Sequence, residues 1–153
     1  MQFEIRPATN ADRAAVEEIV RQAYEPWVVV VGDRPAPMDA DYTALIAARR
    51  VHVTGAEPGA VDGLIVLIPE SGVLLVENVA VRPTSHGQGI GRALLAFAED
   101  EARRRGLAAI RLFTHERMAR NLALYERLGY ITTGTQTVAG GNLVDMRKPL
   151  DER

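Results

Sequence analysis

A chain of 153 residues has room for one domain around one continuous core. With 47% hydrophobic and 25% charged residues, it reads as an ordinary globular protein rather than a disordered tail. A net charge of −2, no cysteine and no apolar run of membrane-spanning length argue against a nucleic-acid binder, a disulfide or thiolate-metal scaffold, and a membrane protein.

The first residues show no basic stretch followed by an apolar run, so no signal peptide is read there and a cytoplasmic protein is expected. Charge is unevenly spread. Residues 1–76 carry 11 acids against 6 arginines, and residues 77–130 carry 9 arginines against 6 acids. That balance suits an anionic ligand near the middle of the chain and a cationic one near its first half, although uneven scatter alone produces such swings.

In chain order, Phe3 and Ile5 before Arg6-Pro7 predict a first strand. Thr9 or Asn10 can cap a helix to about Tyr24, with Ala14, Val16, Ile19, Val20 and Ala23 as its apolar stripe. From Pro26 to Met38, three prolines and a glycine surround Trp27 and four valines, which predicts a loop with an apolar body. Asp39 or Asp41 can cap a second helix through Ala48, and Val51-His52-Val53 alternates as a strand. Gly63–Pro69 and Val73–Val81 predict two strands joined by a hairpin turn at Glu70-Ser71-Gly72.

The next helix has the strongest pattern. Ile90, Leu94, Phe97, Ala98 and Ala102 form a stripe, and Glu99-Arg103, Asp100-Arg104 and Glu101-Arg105 place an acid four residues before each base. Gly106 supplies its stop. Ala109–Phe113 then reads as a strand, Met118–Leu128 as a helix ended by Gly129, and Tyr130–Thr137 and Asn142–Lys148 as strands flanking Ala139-Gly140-Gly141. The order βααβββαβαββ describes a mixed α/β domain over 1–153, with a parallel crossover at its centre.

Chemistry concentrates between Val79 and Leu95, where Gly87, Gly89 and Gly91 alternate between an apolar strand and a helix start. A helix N-terminus has unpaired amides and the positive end of the helix dipole, and glycines let a pyrophosphate approach the backbone. Arg82 and Arg92 can add charge at the rim. A Walker loop is excluded because Gly91 is followed by Arg92-Ala93, and the G-x-G-x-G spacing is not the dinucleotide fingerprint. A tight connection that binds nothing is the competing reading.

About 30 residues on lies Asn121-Leu122-Ala123-Leu124-Tyr125-Glu126-Arg127-Leu128-Gly129-Tyr130. The pair V-x-P-x5-G-x-G and N-x3-Y-x3-G-Y/F resembles the two central motifs of the GNAT N-acetyltransferases, and the element order is similar over nearly the whole chain. One departure is His86, where the family loop usually begins with Arg or Gln. The resemblance implies a central sheet of six to seven strands with helices on both faces, and acetyl-CoA as co-substrate. His86, Gly87, Gln88, Gly89, Ile90, Gly91 and Arg92 would hold the pyrophosphate, and Val79, Ala80 and Val81 the pantetheine arm on a strand splayed from its neighbour. The amide near Val79 would stabilise the oxyanion of the tetrahedral intermediate. Asn121 would bind pantetheine, and Tyr125, one turn later, would assist the departing thiolate; a core tyrosine is the alternative.

An amine acceptor must lose a proton before attack, since a lysine-like amine has a pKa of about 10.4. Glu77, an acid inside an apolar run, is the candidate base, with an outward-facing strand position as the alternative. His52 and His115 are weaker candidates, and the three histidines have no metal-ligand spacing. Direct transfer in a ternary complex is therefore expected, to a small-molecule or peptide amine held by Trp27 and Asp33. Tyr42, Asp39 and Asp41 lie near that segment. A non-catalytic CoA-binding module is the competing function, and a homodimer is left open.

Overall fold

The computed structural model describes residues 3–32, 34–138 and 140–150. Seven strands and four α-helices follow one another: β1 Ile5–Pro7, α1 Arg13–Val31, α2 Tyr42–Ala47, β2 Val51–Thr54, β3 Gly63–Glu70, β4 Val73–Val81, α3 Ile90–Arg104, β5 Ala109–His115, α4 Ala119–Arg127, β6 Ile131–Val138 and β7 Gly141–Pro149. Short 3-10 turns precede α1 (Asn10–Asp12), α2 (Ala36–Asp39) and the glycine-rich loop (Pro83–Ser85). The strands form one sheet in the order β1-β2-β3-β4-β5-β7-β6, in which β4 and β5 pair in parallel and every other neighbour pairs antiparallel. This is the expected element order, and the parallel pair sits at the predicted crossover.

Alternation along β3 explains the layers. Ile65 and Leu67 point to a core shared with Leu94, Ala98 and Ala102 of α3 and Tyr125 of α4. Leu64 and Val66 point to the opposite core, with Val16, Ile19 and Val20 of α1 and Tyr42 and Ile46 of α2. Along α3, Phe97 is only half-buried and its ring lies 4.8 Å from that of His52. Of the three expected acid–base pairs on α3, Glu99–Arg103 and Glu101–Arg105 form. Asp100 instead meets Arg103, and Arg104 meets Glu101, one residue closer in each case.

A larger departure lies in α1. The helix predicted to stop near Tyr24 continues to Val31, with Pro26 inside it. An internal proline removes its own N–H donor and crowds the carbonyl four residues back, at a cost of about 3 kcal/mol. Contacts at the end of α1 offset that cost. Gly32 terminates the helix at φ +85° with its N–H on the Val28 carbonyl, and Val31 is buried. The Arg117 guanidinium donates to the Val30 carbonyl at 3.1 Å. The loop is therefore shorter than predicted, beginning only after α1. Asp41 does cap α2, accepting from the Ala44 N–H at 3.0 Å, while Asp39 pairs with Arg34.

The start of α1 is organised by Asp12, whose side chain is wholly buried. Its carboxylate receives both terminal nitrogens of Arg6 at 2.8 and 2.9 Å, and the Thr9 and Gly59 N–H groups at 2.8 Å each. One residue thus ties β1, the first turn and the 55–62 connection together. The Arg6 guanidinium, with those two amides, holds the Asp12 carboxyl well below the usual carboxylate range. Because the folded-state pKa is depressed, this stabilisation is complete above the unfolded value of about 3.9 and is lost as pH falls through the folded one. Asp12→Asn is expected to destabilise the fold by about 3 kcal/mol at neutral pH. Urea titrations at pH 7 and pH 3 check this, with a smaller difference expected at pH 3.

Candidate active site

The parallel ladder between β4 and β5 is short. It runs from Val73 beside Ala109 to Val76 beside Leu112 and then stops, although β4 continues to Val81 and β5 to His115. The stop coincides with a bulge. Leu67 of β3 faces Val76 and Val66 faces Asn78, which leaves Glu77 as an extra residue on β4. The extra residue shifts the side-chain alternation by one. Before it, Leu74 and Val76 enter the α3/α4 core; after it, Val79 and Val81 pack there, while Ala80 joins the α1/α2 core. Asn78 is buried on that second side, where it accepts from the Tyr24 hydroxyl at 2.6 Å and donates to the Tyr42 hydroxyl at 3.1 Å. Tyr42 in turn donates to the Pro37 carbonyl at 2.6 Å. This chain of hydrogen bonds anchors the bent half of β4 to α1, α2 and the 36–39 turn.

Where the strands part, a cavity of about 250 Å³ opens. Glu77, Asn78 and Val79 line it from β4, Phe113, Thr114 and His115 from β5, and Asn121 and Tyr125 from α4. Tyr24 and Val31 of α1, the segment from Arg34 to Pro37, Val138 and Leu143 of the last two strands, and Val76, Leu112 and Met118 complete it. Glu77 and Tyr125, proposed from sequence as the acid–base pair, therefore face one space, and Asn121 lies one helical turn from Tyr125 on the same lining face.

The electrostatics of this space are set by burial. Oε2 of Glu77 is buried without a hydrogen-bond partner, and desolvation raises its carboxyl above the ordinary carboxylate value. Burial pushes the Tyr125 phenol up to about 12, so its hydroxyl keeps its proton throughout the neutral range. The Tyr125 ring meets that of Tyr130 edge-on at 5.8 Å. His115 is buried, and its Nδ1 accepts the Arg117 N–H at 3.2 Å, which places a ring proton on Nε2. His52 lies instead on β2 against Phe97 and is not part of this lining.

The glycine-rich loop follows directly from the free end of β4. Gly87 and Gly89 adopt φ values of +82° and +84°, and the space a side chain would occupy at either is open. Gly89 caps α3, its carbonyl accepting the Ala93 N–H at 3.0 Å, and the N–H groups before Ala93 have no helical partner of their own. His86 folds back and donates from Nε2 to the Val81 carbonyl at 3.1 Å, bracing the loop. Gln88 and Arg92 are exposed beside it, Ile90 is buried as the first core residue of α3, and Gly91 follows at the helix start. An anion and an extended polar arm fit these features, the first at the helix end and the second along the β4 edge from Val79 to Val81 that β5 leaves, where His86 takes the Val81 carbonyl. Among the described residues no group of His, Asp or Glu is arranged to hold a metal.

Of the residues expected to hold an acceptor, Trp27 is half-buried on α1 and is not among those lining the cavity, and Asp33 lies outside the described residues. The wall is supplied by Val31 and by Arg34 to Pro37 instead, because α1 runs on through the predicted loop. Sequence reasoning missed Tyr24, Asn78, Thr114 and the lining role of His115. A polar residue in an apolar strand, Asn78 after Glu77, was the available signal.

Residues 14–130 match the Acetyltransferase (GNAT) family. The chain is 37% identical over 112 residues to an IAA acetyltransferase of Azospirillum brasilense, a match covering 72% of this chain and 69% of that protein. It is 45% identical over 53 residues to the Escherichia coli K12 [ribosomal protein bS18]-alanine N-acetyltransferase, covering 35% of this chain and only 36% of that enzyme. Among solved structures, a Salmonella typhimurium protein determined with its cofactor acetyl-CoA superposes with a TM-score of 0.71 at 25% identity, covering 100% of this chain and 96% of that one.

The partnerless Glu77 carboxyl has a consequence for stability. Since its folded pKa is raised, the native state is favoured below the unfolded value of about 4.3 and loses stability as pH rises through the folded value. Glu77→Gln is therefore expected to melt above the parent protein at pH 7 and level with it near pH 4. Paired thermal melts across that range check the prediction.

Proposed function

We infer that this chain, which belongs to the Acetyltransferase (GNAT) family, is an acetyl-CoA-dependent N-acetyltransferase acting on a primary amine. The observation that carries the reading is the unpaired β4 edge, which joins an anion-ready helix start at one end to a cavity holding Glu77 and Tyr125. When bound, acetyl-CoA supplies the thioester whose carbonyl carbon the amine attacks. The amides from Gly87 to Arg92 would hold the pyrophosphate. The free edge from Val79 to Val81 would pair with the amide groups of the pantetheine arm, assisted by Asn121.

Glu77 would take the proton that the amine must lose. Its raised carboxyl is a stronger base than a solvated one, which moves it toward the operating pH. The Val79 amide would donate to negative charge developing on the carbonyl oxygen. Tyr125 faces the same cavity with a phenol near 12, whereas a thiol sits at about 8.5. Against a thiol in water, full proton transfer from Tyr125 would run uphill, and the same burial would also raise a thiol held beside it. Its hydroxyl would act as a hydrogen-bond donor that stabilises the sulfur as the bond breaks.

Free-thiol release from acetyl-CoA, measured over a panel of primary amines, tests the activity; binding without turnover of any amine would favour a non-catalytic CoA-binding module. Tyr125→Phe is expected to lower kcat by about 10²-fold with a smaller effect on the KM for acetyl-CoA. Full turnover in that variant would assign Tyr125 to packing alone. For the loop, Gly91→Ala is informative because its Cβ would meet Val81 Cγ2 at 3.8 Å, an ordinary contact that leaves the fold intact. Thermal-shift titration with acetyl-CoA should show a weakened response in Gly91→Ala, and a larger loss in Gly89→Val, whose side chain enters the open space above the loop and also strains the backbone at φ +84°.

A further inference from the structure

The far side of the cavity, away from the glycine-rich loop, is closed by backbone. Helix α1 ends with carbonyls that its own turns cannot satisfy. That of Val30 is taken by Arg117, from the connection after β5, at 3.1 Å. That of Val31 abuts the β6–β7 turn so closely that a Cβ on Gly140 would lie 1.8 Å from its oxygen and 2.8 Å from its carbon. The turn is sewn in its own right to the β5–α4 connection. The Glu116 N–H donates to the Asn142 carbonyl at 2.9 Å, and Asn142 Nδ2 donates to Glu116 Oε2 at 2.8 Å. Through these described residues the end of α1, the β6–β7 hairpin and the β5–α4 connection are tied to one another.

The facing wall is stiff as well. Pro35 and Pro37 have fixed φ values, and the Pro37 carbonyl is held by Tyr42. An extended peptide entering here would need an open rim with free backbone groups to pair with. Among the described residues, the Val30, Pro37 and Asn142 carbonyls are already taken by Arg117, Tyr42 and Glu116, and the turn has no room for a side chain at Gly140. The space inside, about 250 Å³, is smaller than the roughly 300–1,000 Å³ of pockets that enclose drug-sized ligands. Its walls are mostly apolar, with Val31, Pro35, Pro37, Val138 and Leu143 lining the same space as Glu77.

On the strength of the acetyl-transfer reading, we propose that the acceptor is a compact free amine with an apolar body, enclosed between α1 and the β6–β7 hairpin. A protein N-terminus or a lysine side chain within a peptide does not fit this wall. Thiol release from acetyl-CoA would be compared for isoamylamine, leucinamide, a hexapeptide beginning with leucine and a hexapeptide with an internal lysine. Both small amines are expected to exceed both peptides in kcat/KM by about 10²-fold or more. Gly140→Ala, which forces the hairpin from α1, should raise the KM for isoamylamine several-fold, narrow the gap to the peptides and leave the thermal shift with acetyl-CoA unchanged. Arg117→Ala should act in the same direction through the surface contact on Val30, and serves if Gly140→Ala does not fold. Equal use of a hexapeptide and isoamylamine by the parent protein would overturn the enclosed-acceptor proposal and leave acetyl transfer standing. Failure of every amine to release thiol would overturn the acetyl-transfer reading itself.

Discussion

Two parallel strands can share a ladder only while their backbones keep step, and in this sheet β4 and β5 keep step for four residues. The bulge at Glu77 bends β4 against a partner, β3, that remains fully paired on its other side. The bent half is then held away by Asn78, which hydrogen-bonds α1 and α2 through Tyr24 and Tyr42. A cavity lined from both parted strands, a free strand edge and a re-aimed carboxylate all follow from that one extra residue. So does the position of the glycine-rich loop, since it begins where the free edge ends.

The site is expensive in local terms. A carboxyl oxygen is buried without a partner, a tyrosine is enclosed among apolar groups, and two glycines hold the left-handed conformation at a helix start. Desolvation raises the basicity of Glu77, and amides left open at the helix start attract an anion. The surrounding structure offsets the cost with two dense apolar layers, one on each face of the sheet, and with the buried Asp12 network at the start of α1. Stability and chemistry are thereby separated along the chain. The rigid elements lie beneath the cavity, and the unsatisfied groups lie at its surface.

Much of this was legible in the residues. The stripe of α3 is read directly from a period of 3.6, and the hairpin at Ser71-Gly72 from its turn chemistry, with Gly72 at φ +76°. Gly87 and Gly89 were read as positions able to take positive φ, which both do, and the spacing of Asn121 and Tyr125 placed both on one face of α4. The bulge was not legible. Val73 to Val81 is an apolar run that reads the same with or without an extra residue, and only the register of β3 shows that Glu77 has no counterpart. Nor was Asn78 legible as an anchor, since its partners lie 36 and 54 residues away.

The largest difference concerns α1, and its cause is general. Local sequence determined where helices and strands start, because caps, glycines and apolar periodicity act within a turn or two of the backbone. By that measure Pro26 should have ended α1. Tertiary structure decided otherwise: Val31 is buried, Arg117 satisfies the Val30 carbonyl, and Gly140 packs against Val31, all from segments more than 80 residues further on or from the core itself. The same contacts hold Val31, which lines the cavity. A local preference of about 3 kcal/mol can be read from a proline, but the burial and hydrogen bonds that outweigh it exist only once distant parts of the chain have met.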